Sequence, residues 1–202
     1  MKLYYYPGAC SMAAHIVLRE AGYTFELDKV DLANKTTASG EDYRMVNAKG
    51  YVPALRLYNG QVLTEDAVIL LYLADLKPEA HLAPPAGGLE CYRELEWLNF
   101  IATEIHKTLG SLFNPRITPE WKENQIALFG RRAAWLSRQL ADQPYLMGDN
   151  YSIADAYLFT VLSWCKLFHI DLSPWPPLQA FMARIAERPA VQAAMKAEGL
   201  IE

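Results

Sequence analysis

Leu3-Tyr4-Tyr5-Tyr6-Pro7-Gly8-Ala9-Cys10-Ser11-Met12-Ala13-Ala14-His15-Ile16-Val17-Leu18 runs from an aromatic, strand-forming stretch through a Pro-Gly break into a helical one. Lys2–Tyr6 reads as a strand and Ser11–Ala21 as a helix stopped by Gly22. Cys10 stands at the junction, facing the end of the helix where unpaired N–H groups and the aligned peptide dipoles favour an anion. A free thiol has a pKa of about 8.5, and lowering it by ~1.5 units, about 2 kcal/mol, would ionise most of it at pH 7. The segment supports two readings, an activated thiol or one more small apolar side chain, and does not choose between them.

Working outward, Phe25–Val30 alternates imperfectly and is assigned as a strand. The polar segment Ala33–Lys49 carries one short helix around Glu41–Met45. Ala54–Tyr58 and Gln61–Leu63 flank Asn59-Gly60, a hairpin signal in which both turn residues must tolerate positive φ. Glu65–Leu76 reads as a helix with Thr64 as its cap. This order gives an α/β domain with a mixed four-stranded sheet over residues 1–80. Lys77–Gly88, with Pro78, Pro84, Pro85, Gly87 and Gly88, is a linker by composition. The region 88–202 is helical throughout, with helices over Leu89–Phe113, Pro119–Asp142, Ile153–Phe168, Leu178–Glu187 and Ala190–Glu198. The expected fold class is therefore α/β followed by all-α.

Composition removes whole classes of function. At 202 residues and 52% hydrophobic content the chain can bury substantial cores. A formal charge of −4 without a Lys/Arg cluster argues against nucleic-acid binding. Cys10, Cys91 and Cys165 are odd in number and far apart, which is neither a disulfide framework nor a zinc site, so no metal is expected. No signal peptide is legible, and no apolar run reaches the ~18 residues a membrane span needs. The expectation is a soluble cytoplasmic protein without membrane or nucleic-acid partners.

On the long helix from Leu89, the residues Leu95, Leu98, Ile101, Ile105, Leu109 and Leu112 form a buried face. Beside them Asn99, Thr103, His106 and Gly110 repeat at spacings that place them above one another. That stripe is either a cleft wall for a polar ligand or an ordinary solvated edge. Histidine as a residue type can serve as an acid–base group near neutral pH, which makes His106 a candidate, and Lys107 beside it offers a positive charge. Ser152-Ile153-Ala154-Asp155 fits a capping box before a helix apolar on almost every side, and capping, rather than catalysis, is the role assigned to Asp155. Val52-Pro53 precedes the strand at Ala54. A cis bond there has a base rate of about 5–6% and would leave Val52's backbone groups free to pair with an extended peptide.

Cys10 after Pro7-Gly8, Val52-Pro53, Thr64-Glu65-Asp66, Asn99 with Thr103 and His106-Lys107, and Ser152–Asp155 together resemble the beta class of bacterial glutathione transferases. The resemblance extends through the linker to Glu187-Arg188-Pro189. It implies a thioredoxin-like N-terminal domain, a helical C-terminal domain supplying the electrophile pocket, a homodimer, and a cis Val52–Pro53 bond. It also assigns roles. Val52 would pair with the cysteinyl portion of glutathione by strand addition, next to Pro53. The helix opened by Glu65 and Asp66 would receive the γ-glutamyl carboxylate, with the Glu65 carboxylate on the neighbouring ammonium and Lys35 on the glycyl carboxylate. Asn99 and the segment Thr103-Glu104-Ile105-His106 would close the site from the helical domain of one subunit or the other. Cys10 would lie beside the glutathione sulfur, able to form a mixed disulfide, with His106 and Lys107 supporting the anion.

One position departs from the pattern: relatives often carry serine or glycine where this chain has Asp66, whose carboxylate would repel the ligand's α-carboxylate unless it turned to the ammonium or paired elsewhere. Ser11 is a second candidate for hydrogen-bonding the sulfur, and Tyr4, Tyr5 and Tyr6 are weighed behind Cys10. Ala9, Leu112, Phe113 and Trp164 are assigned to the electrophile pocket from helix phase, although core packing also accounts for them. The implied reaction joins the glutathione thiolate to a hydrophobic electrophile, glutathione being a co-substrate. Two alternatives stay open: a monothiol, glutathione-dependent thiol–disulfide oxidoreductase, since Ala13 stands where a dithiol motif needs cysteine, and a non-catalytic binding member of the fold.

Overall fold

Strand β1 (Lys2–Tyr5) lies in the middle of a five-stranded sheet of order β3-β2-β1-β4-β5, formed with β2 (Glu26–Asp31), β3 (Thr36–Thr37), β4 (Ala54–Arg56) and β5 (Val62–Thr64). In this computed structural model, which describes residues 1–202, the chain divides into two units: residues 1–83 with 188–202, and residues 84–187. β1 pairs parallel with β2, Leu3 opposite Leu27, and antiparallel with β4, Leu3 opposite Leu55. A parallel neighbour requires a crossover, and helix α1 (Ser11–Glu20) supplies it. Because both faces of the sheet are covered at β1, Leu3, Tyr4 and Tyr5 are all buried, which explains a strand without polar alternation. Tyr4 packs with Val30, Tyr43, Val46, Val52 and Ala54, uniting the sheet with the short helix α2 (Tyr43–Val46).

The sequence reading anticipated four strands, and the fifth is the two-residue β3, too short to leave a pattern. The hairpin is present with a longer loop than expected. Arg56 pairs with Val62, Leu57 N–H donates to Gln61 O at 2.8 Å, and only Gly60 takes a positive φ of 83°. Asn59 keeps an ordinary backbone and instead accepts from Gln61 N–H at 3.0 Å through Oδ1.

Helix α3 (Asp66–Leu76) packs on α1, as does α10 (Pro189–Ala197). Sequence order placed this last helix in the helical domain, but it belongs to the sheet-bearing unit. The reason is chemical as well as apolar. Arg188 makes a two-pronged contact with Glu20, Nε to Oε1 at 2.6 Å and Nη2 to Oε2 at 3.1 Å. Glu198, buried, accepts from the Gly8 N–H at 2.8 Å and lies 2.9 Å from His15 Nδ1. Arg19 Nε–H donates to His15 Nε2 at 2.9 Å, so His15 carries its proton on Nδ1 and gives it to Glu198. Gly8 has φ 70° with Leu200 Cδ2 3.4 Å from where a Cβ would lie, so a side chain there would be both strained and crowded.

The second unit is helical: α4 (Leu89–Phe100), α5 (Lys107–Gly110), α6 (Pro119–Gln139), α7 (Ile153–Leu162), α8 (Trp164–Leu167) and α9 (Pro176–Ala186). The expected single helix over Leu89–Phe113 is interrupted by a π-helical turn at Ile101–His106 and ends in a 3₁₀ turn at Ser111–Phe113. The expected helices Leu178–Glu187 and Ala190–Glu198 begin slightly earlier, at Pro176 and Pro189, where the missing N–H costs nothing. α7 is buried along its whole length and starts at the anticipated capping box. Asp155 accepts from Ser152 N–H at 2.8 Å and from Leu146 N–H at 2.9 Å. Asp155→Ala would remove a cap worth ~1 kcal/mol and strand two buried donors, for a loss on the order of 3 kcal/mol in a urea titration of the whole protein.

Candidate functional site

Cys10 precedes α1 with helical dihedrals (φ −55°, ψ −28°) and is half-buried. Its thiol donates to the Val52 carbonyl at 3.3 Å. Burial pushes the thiol's pKa well up, and the nearby Asp66 carboxyl adds to that rise. The Ser11 N–H at the start of α1 pulls the other way, as the helix argument anticipates, but it is outweighed. In the ligand-free protein these contributions together favour the protonated thiol over the activated one. Ser11 is fully buried, with its hydroxyl 3.2 Å from Tyr6 N and 3.3 Å from Tyr6 O, so the side chain closes the turn rather than facing a ligand. Tyr4 is also disqualified as an acid: it is buried, and its pKa is pushed up to about 12 mainly by that burial.

The Val52–Pro53 bond is cis, as the resemblance implied. Tyr51 O accepts from the Tyr43 hydroxyl and from Asn47 Nδ2, both at 2.7 Å, so two side chains fix the backbone at the approach to Val52. Sequence reasoning missed both. Nothing in the polar run around Asn47 marks it as the buried residue it is.

Thr64-Glu65-Asp66 follows on the adjacent β5–α3 connection. Glu65 takes φ 72°, ψ 118°, a strained backbone for a non-glycine residue and the kind of outlier that clusters at ligand sites. Its carboxylate is held by Lys49, which also donates to the Thr64 hydroxyl at 2.8 Å. Lys49 was not anticipated. Lys35 Nζ donates to Gly50 O at 3.0 Å, placing a cation on the same connection that leads to Val52. Asp66 opens α3 and is 6% exposed, and neither carboxylate oxygen has a hydrogen-bond partner. Its own pKa is pushed well up by burial, moderated by the neighbouring Cys10. Cys10, Val52, Pro53, Glu65 and Asp66 are thus assembled within one unit, with Lys35 and Lys49 tethered to its loops.

The remaining candidates lie on the helical unit. His106 ends the π-helical turn with Nδ1 2.7 Å from the Tyr157 hydroxyl and its ring edge-on to Trp164, centroids 5.1 Å apart. Asn99, Thr103 and Lys107 are exposed, and Thr103 Oγ1 donates to Asn99 O at 2.9 Å. Glu104 pairs with Arg132 at 2.5 Å. Ile105 is fully buried, so its side chain belongs to the core and not to a ligand surface. Leu112 and Trp164 are buried too, consistent with the packing alternative, whereas Phe113 is half exposed and stacks edge-on with Trp164 and Phe168. Ala9 is partly buried against the Tyr4 cluster. The π-helical turn itself was invisible to a 3.6-residue pattern, and such turns recur at functional sites.

Residues 8–76 match the family model for the glutathione S-transferase N-terminal domain, and residues 119–184 the model for its C-terminal domain. Glutathione S-transferase GstA of Escherichia coli O157:H7 is 46% identical over 99% of this chain and 100% of its own. A glutathione transferase from Methylococcus capsulatus is 62% identical, covering 99% of both chains with a TM-score of 0.97. A beta-class glutathione S-transferase from Sphingomonas chungbukensis is 46% identical, covering 100% of both chains with a TM-score of 0.97. With matched models over both units and relatives of this similarity along its whole length, the chain belongs to the glutathione S-transferase family, in its bacterial beta class.

Proposed function

We propose that the protein binds glutathione along Val52 and joins its thiolate to a hydrophobic electrophile. The supporting observation is the Cys10 thiol on the Val52 carbonyl: a side chain suited to meet a ligand sulfur touches a backbone segment suited to align a peptide. Glutathione carries one ammonium, two carboxylates and one thiol. Its ammonium would replace Lys49 at Glu65, exchanging one cation for another and releasing Lys49 toward a carboxylate. The first N–H groups of α3 suit the α-carboxylate, and Lys35 the glycyl carboxylate. The bound sulfur would then lie toward the N-terminus of α1, whose dipole lowers the cost of ionising it. Rate acceleration comes from holding that thiolate beside the electrophile. The protein would act as a cytoplasmic homodimer, which light scattering of the purified protein checks.

Glu65→Ala removes the partner of the ligand's ammonium. It is expected to raise KM for glutathione on the order of tenfold with kcat little changed, the pattern of lost ground-state binding. Steady-state conjugation to an activated aryl halide measures both. A wild-type protein that binds glutathione in calorimetry yet conjugates no electrophile would sink the proposal and favour the non-catalytic reading.

A further inference from the structure

Within the buried helix α7, Asp155 and Thr160 serve backbone groups: Asp155 accepts from the Ser152 and Leu146 N–H groups, and Thr160 Oγ1 donates to Ala156 O at 2.9 Å. Tyr157, 2% exposed, differs. Its hydroxyl reaches out to another element and stands 2.7 Å from Nδ1 of His106, at the end of the π-helical turn. Phenylalanine would fill the same interior space without a polar atom to satisfy, so the hydroxyl calls for a reason beyond packing. The His106 ring is held on other sides as well. Trp164 meets it edge-on with centroids 5.1 Å apart, and a Cβ at Gly110 would lie 3.5 Å from its Cδ2. Turning the ring over would set a carbon against the hydroxyl in place of Nδ1, so the Tyr157 contact selects one of the two ring orientations.

We propose that Tyr157 is a positioning residue that acts through His106: its O–H donates to Nδ1, which fixes the ring proton on Nε2 and makes that nitrogen a hydrogen-bond donor. Two arguments set the direction of the bond. A separation of 2.7 Å is ordinary for a hydroxyl donor and the short limit for a ring N–H donor. Phenol is also the stronger acid of the two neutral groups and imidazole the stronger base, which favours O–H···N over N–H···O. A neutral imidazole carries one proton, so an accepting Nδ1 leaves Nε2 as the donor. A donor at Nε2 suits an anion, whereas a lone pair there would repel one. The identity of that anion, the thiolate of bound glutathione, rests on the reading under Proposed function; the tautomer does not. Donation to the thiolate favours its ionisation, and a ring free to adopt the other tautomer would leave more of the ligand as unreactive thiol.

The test is long-range proton–nitrogen NMR of ligand-free protein carrying nitrogen-15 histidine, at a mildly alkaline pH where ordinary imidazoles are neutral. His106 is assigned among His15, His81 and His169 by the signals lost in His106→Asn. The wild type is expected to hold the Nε2–H form of His106 alone, and Tyr157→Phe to show a mixture with the Nδ1–H form. A wild-type proton on Nδ1, or the same tautomer in both proteins, overturns the proposal. The wild-type spectrum is decisive even if the variant fails to fold. In conjugation assays Tyr157→Phe is expected to lower kcat at pH 7 about fivefold with KM for glutathione within about twofold of wild type. An unchanged kcat, the result for a hydroxyl that only packs, also overturns it. Because the spectra contain no glutathione, a wild type that conjugates nothing defeats the proposed function while the tautomer is still read.

Discussion

Cys10→Ala is expected to abolish the mixed disulfide with glutathione completely while leaving conjugation within about tenfold of wild type. The first half is stoichiometric: Cys10 is the cysteine carried by the unit that holds Val52, and Cys165 is buried with its thiol pushed up to about 12 by that burial. Intact mass after exposure to glutathione disulfide should show one added glutathione on the wild type and none on the variant. The second half follows from the protonation state. A thiol held well above its ordinary range and hydrogen-bonded to Val52 O is not the attacking anion at pH 7. Its contribution to conjugation is packing and one weak hydrogen bond, worth on the order of 1 kcal/mol, which corresponds to a few-fold change in rate. A fall of a thousandfold or more in kcat/KM would instead make Cys10 a participant in the chemical step, and the proposed division between the two sulfurs would be abandoned.

The contrast between what the chain announced and what it concealed follows the range of the forces involved. Elements set by local pattern were legible: β1, α1, the Gly60 hairpin, the Ser152–Asp155 cap and the helical run after the linker. Cys10 at its junction and Val52-Pro53 beside a strand could be placed because each is written within a few residues. Features that depend on distant partners were not. Nothing around Lys49 reveals that its ammonium closes on Glu65, sixteen residues later. The return of α10 to the first unit rests on Arg188–Glu20 and Glu198–His15, pairs 168 and 183 residues apart. The protonation state of Cys10 belongs to the same class. The local helix argument gave the sign of one contribution correctly, while burial and, after it, a carboxyl 56 positions further along, Asp66, push the other way. The π-helical turn before His106 was hidden for another reason. An extra residue in one turn leaves an apolar stripe that still reads as continuous.

Glu94→Gln is expected to remove a loss of stability that the wild type should undergo as the pH rises from about 4.5 to about 7. Glu94 is 1% exposed on α4, and its Oε1 accepts from the Ala154 N–H at 2.9 Å, inside the first turn of α7. Its Oε2 has no hydrogen-bond partner. Burial raises its pKa from 4.5 to about 7, the Ala154 N–H and the Ser152 side chain opposing the rise and the Asp155 charge adding to it. A raised carboxyl pKa means that the folded chain binds the proton more tightly than the unfolded one. Stability from this group is therefore full below about 4.5, declines as pH rises through the interval, and is gone above about 7. A displacement of that size corresponds to something on the order of 3 kcal/mol across the window. Glutamine keeps an oxygen for Ala154 N–H and cannot ionise, so the wild-type decline attributable to Glu94 should vanish, leaving the variant the more stable protein at pH 8. Urea titrations of both proteins at pH 5, 6, 7 and 8 give the difference directly, since the other titrating groups are common to both. Parallel curves over that range would mean that Glu94 is ionised throughout, its charge carried by the α7 terminus it caps, and the account of α7 as a helix anchored by a neutral acid would fail.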